Sequence, residues 1–286
     1  MREFDGKLKL LEEWMDSRMT GDVCVAFSGG VDSSLILKMA CLCAGKRGVS
    51  VHAVTFDTML HPACDLQTAK KVAHELGARH EIIEIDELKI PGLKNNPPDR
   101  CYLCKKHLFS VLLEYAEEKG IKHVLDGTNE DDLHVYRPGL RALRELGIES
   151  PLAACHISKK ETREMADFLG ISVASRPSAP CMATRIPYGQ ELNHTVLKQI
   201  EEGEDFLRTV FSGNVRLRLH GQTARIELDS SQMGRALEQR KPLCSRLRKL
   251  GFSYITLDLE GFRSGSMDEI LPERQSSEPG RECDIQ

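Results

Sequence analysis

No apolar run in this chain of 286 residues reaches bilayer-spanning length, and the N-terminus lacks the pattern of a signal peptide. Both absences point to the cytoplasm and away from a membrane. An excess of basic charge is also missing: the formal net charge is −4, against the basic footprint of a nucleic-acid binder. Internal repeats are absent. So are the two commonest phosphate loops, G-x-x-x-x-G-K-[ST] and G-x-G-x-x-G. Only one C-x-x-C occurs, so the paired spacing of a four-thiolate structural zinc site is excluded. What remains is ordinary globular chemistry, 41% hydrophobic and 29% charged, with length for one large α/β domain and a smaller one.

The most informative stretch is Val-Cys-Val-Ala-Phe-Ser-Gly-Gly-Val-Asp-Ser-Ser at 23–34. A short apolar strand enters a Ser28-Gly29-Gly30 turn, and Leu35, Ile36, Met39, Ala40 and Cys43 then recur at helical spacing. Unpaired amides of a first helical turn, aided by the helix dipole, favour an anion. The two glycines admit close backbone approach, and Ser28, Ser33 and Ser34 add hydroxyl donors. A bare S-G-G is a common strand-to-helix turn. The continuation Val31-Asp32-Ser33-Ser34 makes the string resemble the PP-loop of ATP pyrophosphatases.

Downstream, strands and helices alternate. The patterns predict strands at 49–56, 80–85 and 122–126, and helices at 65–76 and 105–119 stopped by Gly77 and Gly120. This alternation predicts a parallel sheet with helices on both faces and ligands beyond the carboxyl ends of the strands, where Ser28, Asp57 and Asp126 fall. A capping box, Ser158 to Glu161, opens a helix ending near Gly170. Pro177, Pro180 and Pro187 then preclude a helix over 174–189. A long helix from Asn193, strands at 214–220 and 223–229, a helical stretch interrupted at Pro242 and a strand at 252–259 describe a small α+β domain. The divisions expected are 1–187, 188–271 and a disordered polar tail at 272–286.

Ten cysteines stand at 24, 41, 43, 64, 101, 104, 155, 181, 244 and 283, and in a reducing compartment they are not structural disulfides. Cys101-Tyr-Leu-Cys104 directly precedes the predicted helix, where a thiol pKa is lowered. With Cys181 from the proline-rich loop, these thiols can hold a 4Fe–4S cluster with one open iron, or be unrelated. Arg216 and Arg218 share one face of a strand, either as a solvated face with paired charges or as a clamp for phosphate or carboxylate. Glu204 can orient a group there, although a surface Glu is the commoner case. Asp126-Gly-Thr-Asn-Glu-Asp-Asp132 is either a loop with cap chemistry or a source of carboxylates for magnesium.

Together these segments resemble the LarE family of ATP-dependent sacrificial sulfur transferases. S-G-G-V-D-S-S, N-P-P-D-R-C-Y-L-C-K (96–105), D-G-T-N-E-D-D, Y-R-P-G (136–139), P-S-A-P-C-M-A-T-R-I-P-Y-G (177–189), V-R-L-R-L-H-G (215–221) and L-D-L-E-G-F-R-S-G-S-M (257–267) carry the match, in order, from about residue 5 to 270. One departure is Val135, where a second acidic residue is expected before Y-R-P-G. The resemblance implies a PP-loop α/β domain joined to a smaller sulfur-transfer domain, and a homo-oligomer that can reach a hexamer. It implies ATP and Mg2+ as cofactors and adenylylation of a carboxylate of pyridinium-3,5-biscarboxylic acid mononucleotide. Sulfur delivery then gives a thiocarboxylate, on the route to a nickel-pincer nucleotide. Cys181 becomes the sulfur-bearing position, with Arg185 and Glu204 beside it in catalytic roles, and Arg216 and Arg218 hold the substrate phosphate. One form of the family sacrifices a single cysteine sulfur. The other carries a 4Fe–4S cluster on three cysteines, and Cys101, Cys104 and Cys181 match it.

The nearest rival is a PP-loop tRNA thiolase with a three-cysteine cluster. It more often has lysine at the position of Val31 and needs a basic RNA surface. An amide-forming ATP pyrophosphatase has no use for the three cysteines, and a nucleotide-sensing module binds ATP without releasing pyrophosphate.

Overall fold

A computed structural model describes residues 2–263 apart from 136, 178 and 179, together with 265–267 and 269. The expected tail at 272–286 lies outside the described residues. The first half alternates α1 (Asp5–Arg18), β1 (Val23–Ala26), α2 (Val31–Arg47), β2 (Val51–Asp57), α3 (Ala63–Leu76), β3 (Arg79–Glu84), α4 (Arg100–Glu118) and β4 (His123–Leu125). The strands form one parallel sheet in the order β3-β2-β1-β4. Short helices follow: α5 (Glu130–Leu133), α6 (Gly139–Glu145) and α7 (Pro151–Ala154), then α8 (Lys159–Phe168).

Pleating explains why both faces of this sheet are apolar. Val23, Val25, Val51 and Ala53 enter one core with Leu11, Met15, Leu35 and Met165 of the flanking helices. Cys24 and Val54, one residue out of phase, enter the opposite core with Leu108, Leu112 and Leu143. The strand order reverses between β1 and β4, which opens the crevice where such sheets bind ligands.

The second half contains α9 (His194–Val210), β5 (Val215–His220), β6 (Thr223–Leu228), α10 (Met233–Glu238), α11 (Arg240–Lys249) and β7 (Tyr254–Leu257). The β5–β6 pair is antiparallel and β6–β7 parallel. Its core recruits Leu60, Ile90 and Leu93 from loops of the first half, and Met182, Ala183 and Ile186 from the proline-rich segment.

Three local expectations change. Helix α4 begins at Arg100, because the Pro97–Pro98 turn lets the Arg100 N–H bond the Pro97 carbonyl at 3.0 Å; Cys101 and Cys104 therefore lie inside it. The helical break falls at Gln239, and Pro242 sits in the first turn of α11, where no amide partner is needed. The segment after Pro180 contains one 3₁₀ turn, Met182–Arg185.

Gly203, inside α9, shows how tightly the small sheet is packed: an added Cβ would overlap Leu217 Cδ2 of β5. Helix propensity alone makes Gly→Ala favourable by about 1 kcal/mol, whereas overpacking costs about 1–3 kcal/mol. Gly203→Ala is therefore expected to lower the denaturation midpoint, and an unchanged or raised midpoint would show that α9 and β5 are not in this contact.

Candidate active site

The glycine loop folds as its residues require. Gly29 has φ +71, and a Cβ there would lie 2.9 Å from the Ala69 backbone of α3. The Ser33 hydroxyl accepts from the Ser28 N–H at 3.3 Å and donates to the Gly30 carbonyl at 3.2 Å. Gly30 N–H donates to Ser28 Oγ at 3.3 Å, and Ser34 Oγ is buried without a partner. Across the crevice, Gly127 abuts the start of α2, where a Cβ would lie 2.8 Å from Ser33 N. The neighbouring Asp126 accepts from Thr128 N–H at 3.2 Å, Thr128 Oγ1 at 2.6 Å and Ser150 Oγ at 2.5 Å. Asp126 thus shapes the loop.

Asp32 accepts from Asn129 Nδ2 at 3.1 Å and is ion-paired with Lys159. Sequence reasoning missed Lys159 and Asn129 as site residues. The capping box marks Lys159 only as the first residue of α8; that it reaches over α2 is tertiary information. A cavity of about 580 Å3 opens beyond β2 and β3, lined by Asp57, His61, Glu84, Asp86, His194 and Glu201. Its four carboxylates, Asp57, Glu84, Asp86 and Glu201, disfavour a bare polyphosphate there.

The three candidate thiols share one neighbourhood at the seam between the halves. Cys104 Sγ donates to Glu87 Oε1 at 3.3 Å, and Glu87 is 1% exposed. Glu87 Oε2 accepts from Leu60 N–H at 3.1 Å, and the Leu60 carbonyl accepts from Met182 N–H at 2.8 Å, which sets the carboxylate beside Cys181. Burial, then the charge of Glu87 and the neighbouring thiol of Cys181, push the Cys104 pKa well above the ordinary thiol value. Burial and Glu87 push Cys181 up to about 12. The expected lowering at a helix N-terminus is therefore reversed for Cys104, because desolvation beside a carboxylate outweighs the helix dipole. Among the described residues no three ligands close on a single ion. The charges of Cys181 and Cys101 add to the rise at Cys104, and that of Cys101 to the rise at Cys181.

The Cys181 loop is fastened by two arginines. Arg185, 1% exposed, donates from Nη1 to the carbonyls of Pro180 at 3.0 Å and Cys181 at 3.3 Å. Its Nε and Nη2 grip Glu204 at 2.7 and 3.0 Å, and Glu204 also accepts from Leu217 N–H at 3.0 Å and Arg208 at 2.5 Å. Glu204 is completely buried, contrary to the surface position that is commoner for Glu. Arg218 is buried too, paired with Glu227 at 2.6 Å and donating to the Thr184 carbonyl at 2.6 Å. The face of β5 that could have been solvated is instead covered by the 3₁₀ turn. Arg216 stays half-buried, 5.2 Å over the Phe262 ring, and burial lowers its pKa to about 10.

A family model described as asparagine synthase matches residues 8–247. The chain is 38% identical to pyridinium-3,5-bisthiocarboxylic acid mononucleotide synthase of Lactiplantibacillus plantarum over 88% of this chain and 91% of that one. It is also 38% identical to the uncharacterized protein slr1717 of Synechocystis sp., over 86% of this chain and 92% of that one. Similarity to a tRNA-specific 2-thiouridylase of Rickettsia bellii is 28%, over 54% of this chain and 51% of that one. Parallel sheet, glycine loop and family match together define a PP-loop, ATP-utilising enzyme. Within that class, the chain belongs to the LarE family of ATP-dependent sulfur transferases.

Burial alone would raise the Glu204 pKa, but Arg185, the Leu217 N–H and Arg208 outweigh it and hold the carboxyl below its ordinary value of 4.5. A depressed folded-state value means that this contribution is full above the unfolded pKa and is lost as pH falls through the folded one. Glu204→Ala leaves the Arg185 charge buried and is expected to destabilise by about 3–5 kcal/mol, with less acid sensitivity than wild type. Equal stability of variant and wild type in denaturant titrations at neutral pH would refute the pairing.

Proposed function

We propose that this enzyme adenylylates a carboxylate of pyridinium-3,5-biscarboxylic acid mononucleotide with ATP and converts it to a thiocarboxylate, a step towards a nickel-pincer nucleotide. The observation that carries the reading is the pairing of a PP-loop cradle with a pinned Cys181 loop and two further thiols on one sheet edge. The carboxylate oxygen attacks the α-phosphorus of ATP, and pyrophosphate leaves into the cradle of Ser28, Gly29, Gly30, Val31, Asp32, Ser33 and Ser34. Asp32, whose oxygens meet Asn129 and Lys159, would hold Mg2+, which prefers few protein ligands and would offset charge on the leaving pyrophosphate, with Lys159 beside it as a second positive charge. Sulfide or the Cys181 thiolate then attacks the activated carbonyl and displaces AMP; where Cys181 attacks, elimination across its Cβ–S bond frees the thiocarboxylate and leaves dehydroalanine.

Arg216 and Arg218 are assigned to the substrate phosphate, Arg216 as the more accessible of the two. Arg185 and Glu204, named above as catalytic positions, act by holding the Cys181 loop. Cys101, Cys104 and Cys181 would hold a 4Fe–4S cluster, which would supply the sulfur as sulfide and leave the protein intact. The proposed organisation is a nucleotide domain at 1–187 and a sulfur-transfer domain at 188–271, in a homo-oligomer, possible up to a hexamer, in the cytoplasm. No helix among the described residues is long and apolar enough to cross a membrane.

Protein prepared without oxygen and given ATP, Mg2+ and the biscarboxylate mononucleotide is expected to release AMP and pyrophosphate. It should form a product in which sulfur replaces one oxygen, read by mass spectrometry. Iron and acid-labile sulfide bound before the reaction, with Cys181 unchanged after it, identify sulfide as the source. Conversion of Cys181 to dehydroalanine in iron-free protein identifies the cysteine itself and overturns the cluster. Pyrophosphate release with tRNA and not with the mononucleotide overturns the whole reading.

A further inference from the structure

Strand alternation places Arg216, Arg218 and His220 of β5 on one face, and the antiparallel register sets Glu227, Arg225 and Thr223 of β6 opposite them in turn. The other face belongs to the apolar core shared with α9 and α11. The polar face abuts the sulfur loop, since Arg218 Nη1 donates to the Thr184 carbonyl at 2.6 Å.

Hydrogen bonding on this face does not close. Glu227 Oε1 accepts from Arg218 Nε at 2.6 Å and from Arg225 Nη2 at 2.9 Å, while its Oε2 is buried without a partner. Arg225 Nε, 3.5 Å from Asp258 Oδ2, makes no hydrogen bond, and His220 Nε2 is likewise buried and unpartnered. Burial, then the charges of Arg225 and Arg218, lower the His220 pKa and favour the neutral ring, which has one N–H to give. Burying such atoms unpaired is costly, most of all where they carry charge. Two donors and one acceptor therefore wait on adjoining side chains.

Their chemistry restricts the ligand. The two donors, beside three arginines, call for an anion with several oxygens, and the planar guanidinium suits phosphate. A bare phosphate would set its charge against Glu227 Oε2, which requires a donor. A hydroxyl carried on the same molecule as the phosphate meets both demands, as in a sugar phosphate. The His220 and Arg225 side chains are partly exposed, which gives such a ligand access.

We infer that His220 and Arg225 bind the phosphate of the nucleotide substrate beside Arg216, and that Glu227 Oε2 accepts from a hydroxyl of its ribose. Arg218, tied to Glu227 and to the sulfur loop, then sets where this handle lies relative to Cys181. The inference rests on the proposed mononucleotide substrate.

Ribose 5-phosphate carries the handle alone and is the probe, with ribose and inorganic phosphate as controls, in calorimetric titrations of the full-length protein. Wild type is expected to bind ribose 5-phosphate more tightly than phosphate, and ribose not at all. His220→Ala and Arg225→Gln should each weaken ribose 5-phosphate about tenfold, and His220→Gln, which keeps an N–H donor, should stay close to wild type. Glu227→Gln should narrow the preference for ribose 5-phosphate over phosphate, because it removes the acceptor and its charge. With the biscarboxylate mononucleotide, His220→Ala and Arg225→Gln should raise KM about tenfold and leave kcat within about twofold of wild type. Circular dichroism establishes folding, and Arg225→Gln decides the question should His220→Ala fail to fold. Wild-type affinity for ribose 5-phosphate in the folded variants would overturn the inference. So would wild type that binds ribose 5-phosphate no more tightly than phosphate, with water then satisfying these atoms. The expected ribose 5-phosphate binding, in protein that does not turn over the mononucleotide, would keep the sugar-phosphate site and overturn the proposed function.

Discussion

The carboxylate of Glu204 is the constraint on which the rest of the site depends. From the middle of α9 it meets Arg185 in the sulfur loop, the Leu217 amide of β5 and Arg208 one turn on. A buried ion pair is an inefficient way to gain stability, since desolvating two charges offsets most of their attraction. What it supplies here is registry. An apolar contact would let the 180–186 segment slide on the small sheet, whereas a two-pronged guanidinium–carboxylate pair fixes it in distance and angle. Arg218, bonded to the Thr184 carbonyl, adds a second fixed point on the same turn.

The glycine loop and the thiols both lie on loops that leave the carboxyl ends of the parallel strands. The loops after β1 and β4 meet at the strand-order reversal and build the phosphate cradle, with Gly29 and Gly127 allowing the backbones to approach. The loops after β2 and β3 contribute Leu60 and Glu87, which meet Met182 and Cys104 in the sulfur chamber. The glycine loop and the three thiols thus share one scaffold without a side chain in common. Burial and the Glu87 charge favour the protonated thiols at Cys104 and Cys181.

Much of this was legible in the chain because it is written in local patterns. The strand–glycine–helix loop, the Ser158–Glu161 capping box and the Asn193 cap are short-range signals, and the structure contains all three. Alternation along 215–220 correctly predicts β5, but it cannot say what covers the face of Arg216 and Arg218; the covering turn comes from a segment some thirty residues away in sequence, a tertiary fact. For the same reason Glu204 reads as a surface residue, and Lys159 as a cap neighbour. The start of α4 was placed late because Cys-Tyr-Leu-Cys carries no helical periodicity of its own, while the preceding Pro97–Pro98 turn starts the helix at Arg100. Charge at the thiols could not be read at all, since the decisive neighbour, Glu87, lies distant from Cys181 along the chain.

The central claim is that carboxylate activation and sulfur delivery are separate acts of separate residues, and Cys181→Ala tests it most directly. With ATP, Mg2+ and the biscarboxylate mononucleotide, the account predicts that this variant releases pyrophosphate at close to the wild-type rate in a single turnover and forms no thiocarboxylate. Thiocarboxylate formed at the wild-type level, or pyrophosphate release lost together with sulfur transfer in a folded variant, would contradict it.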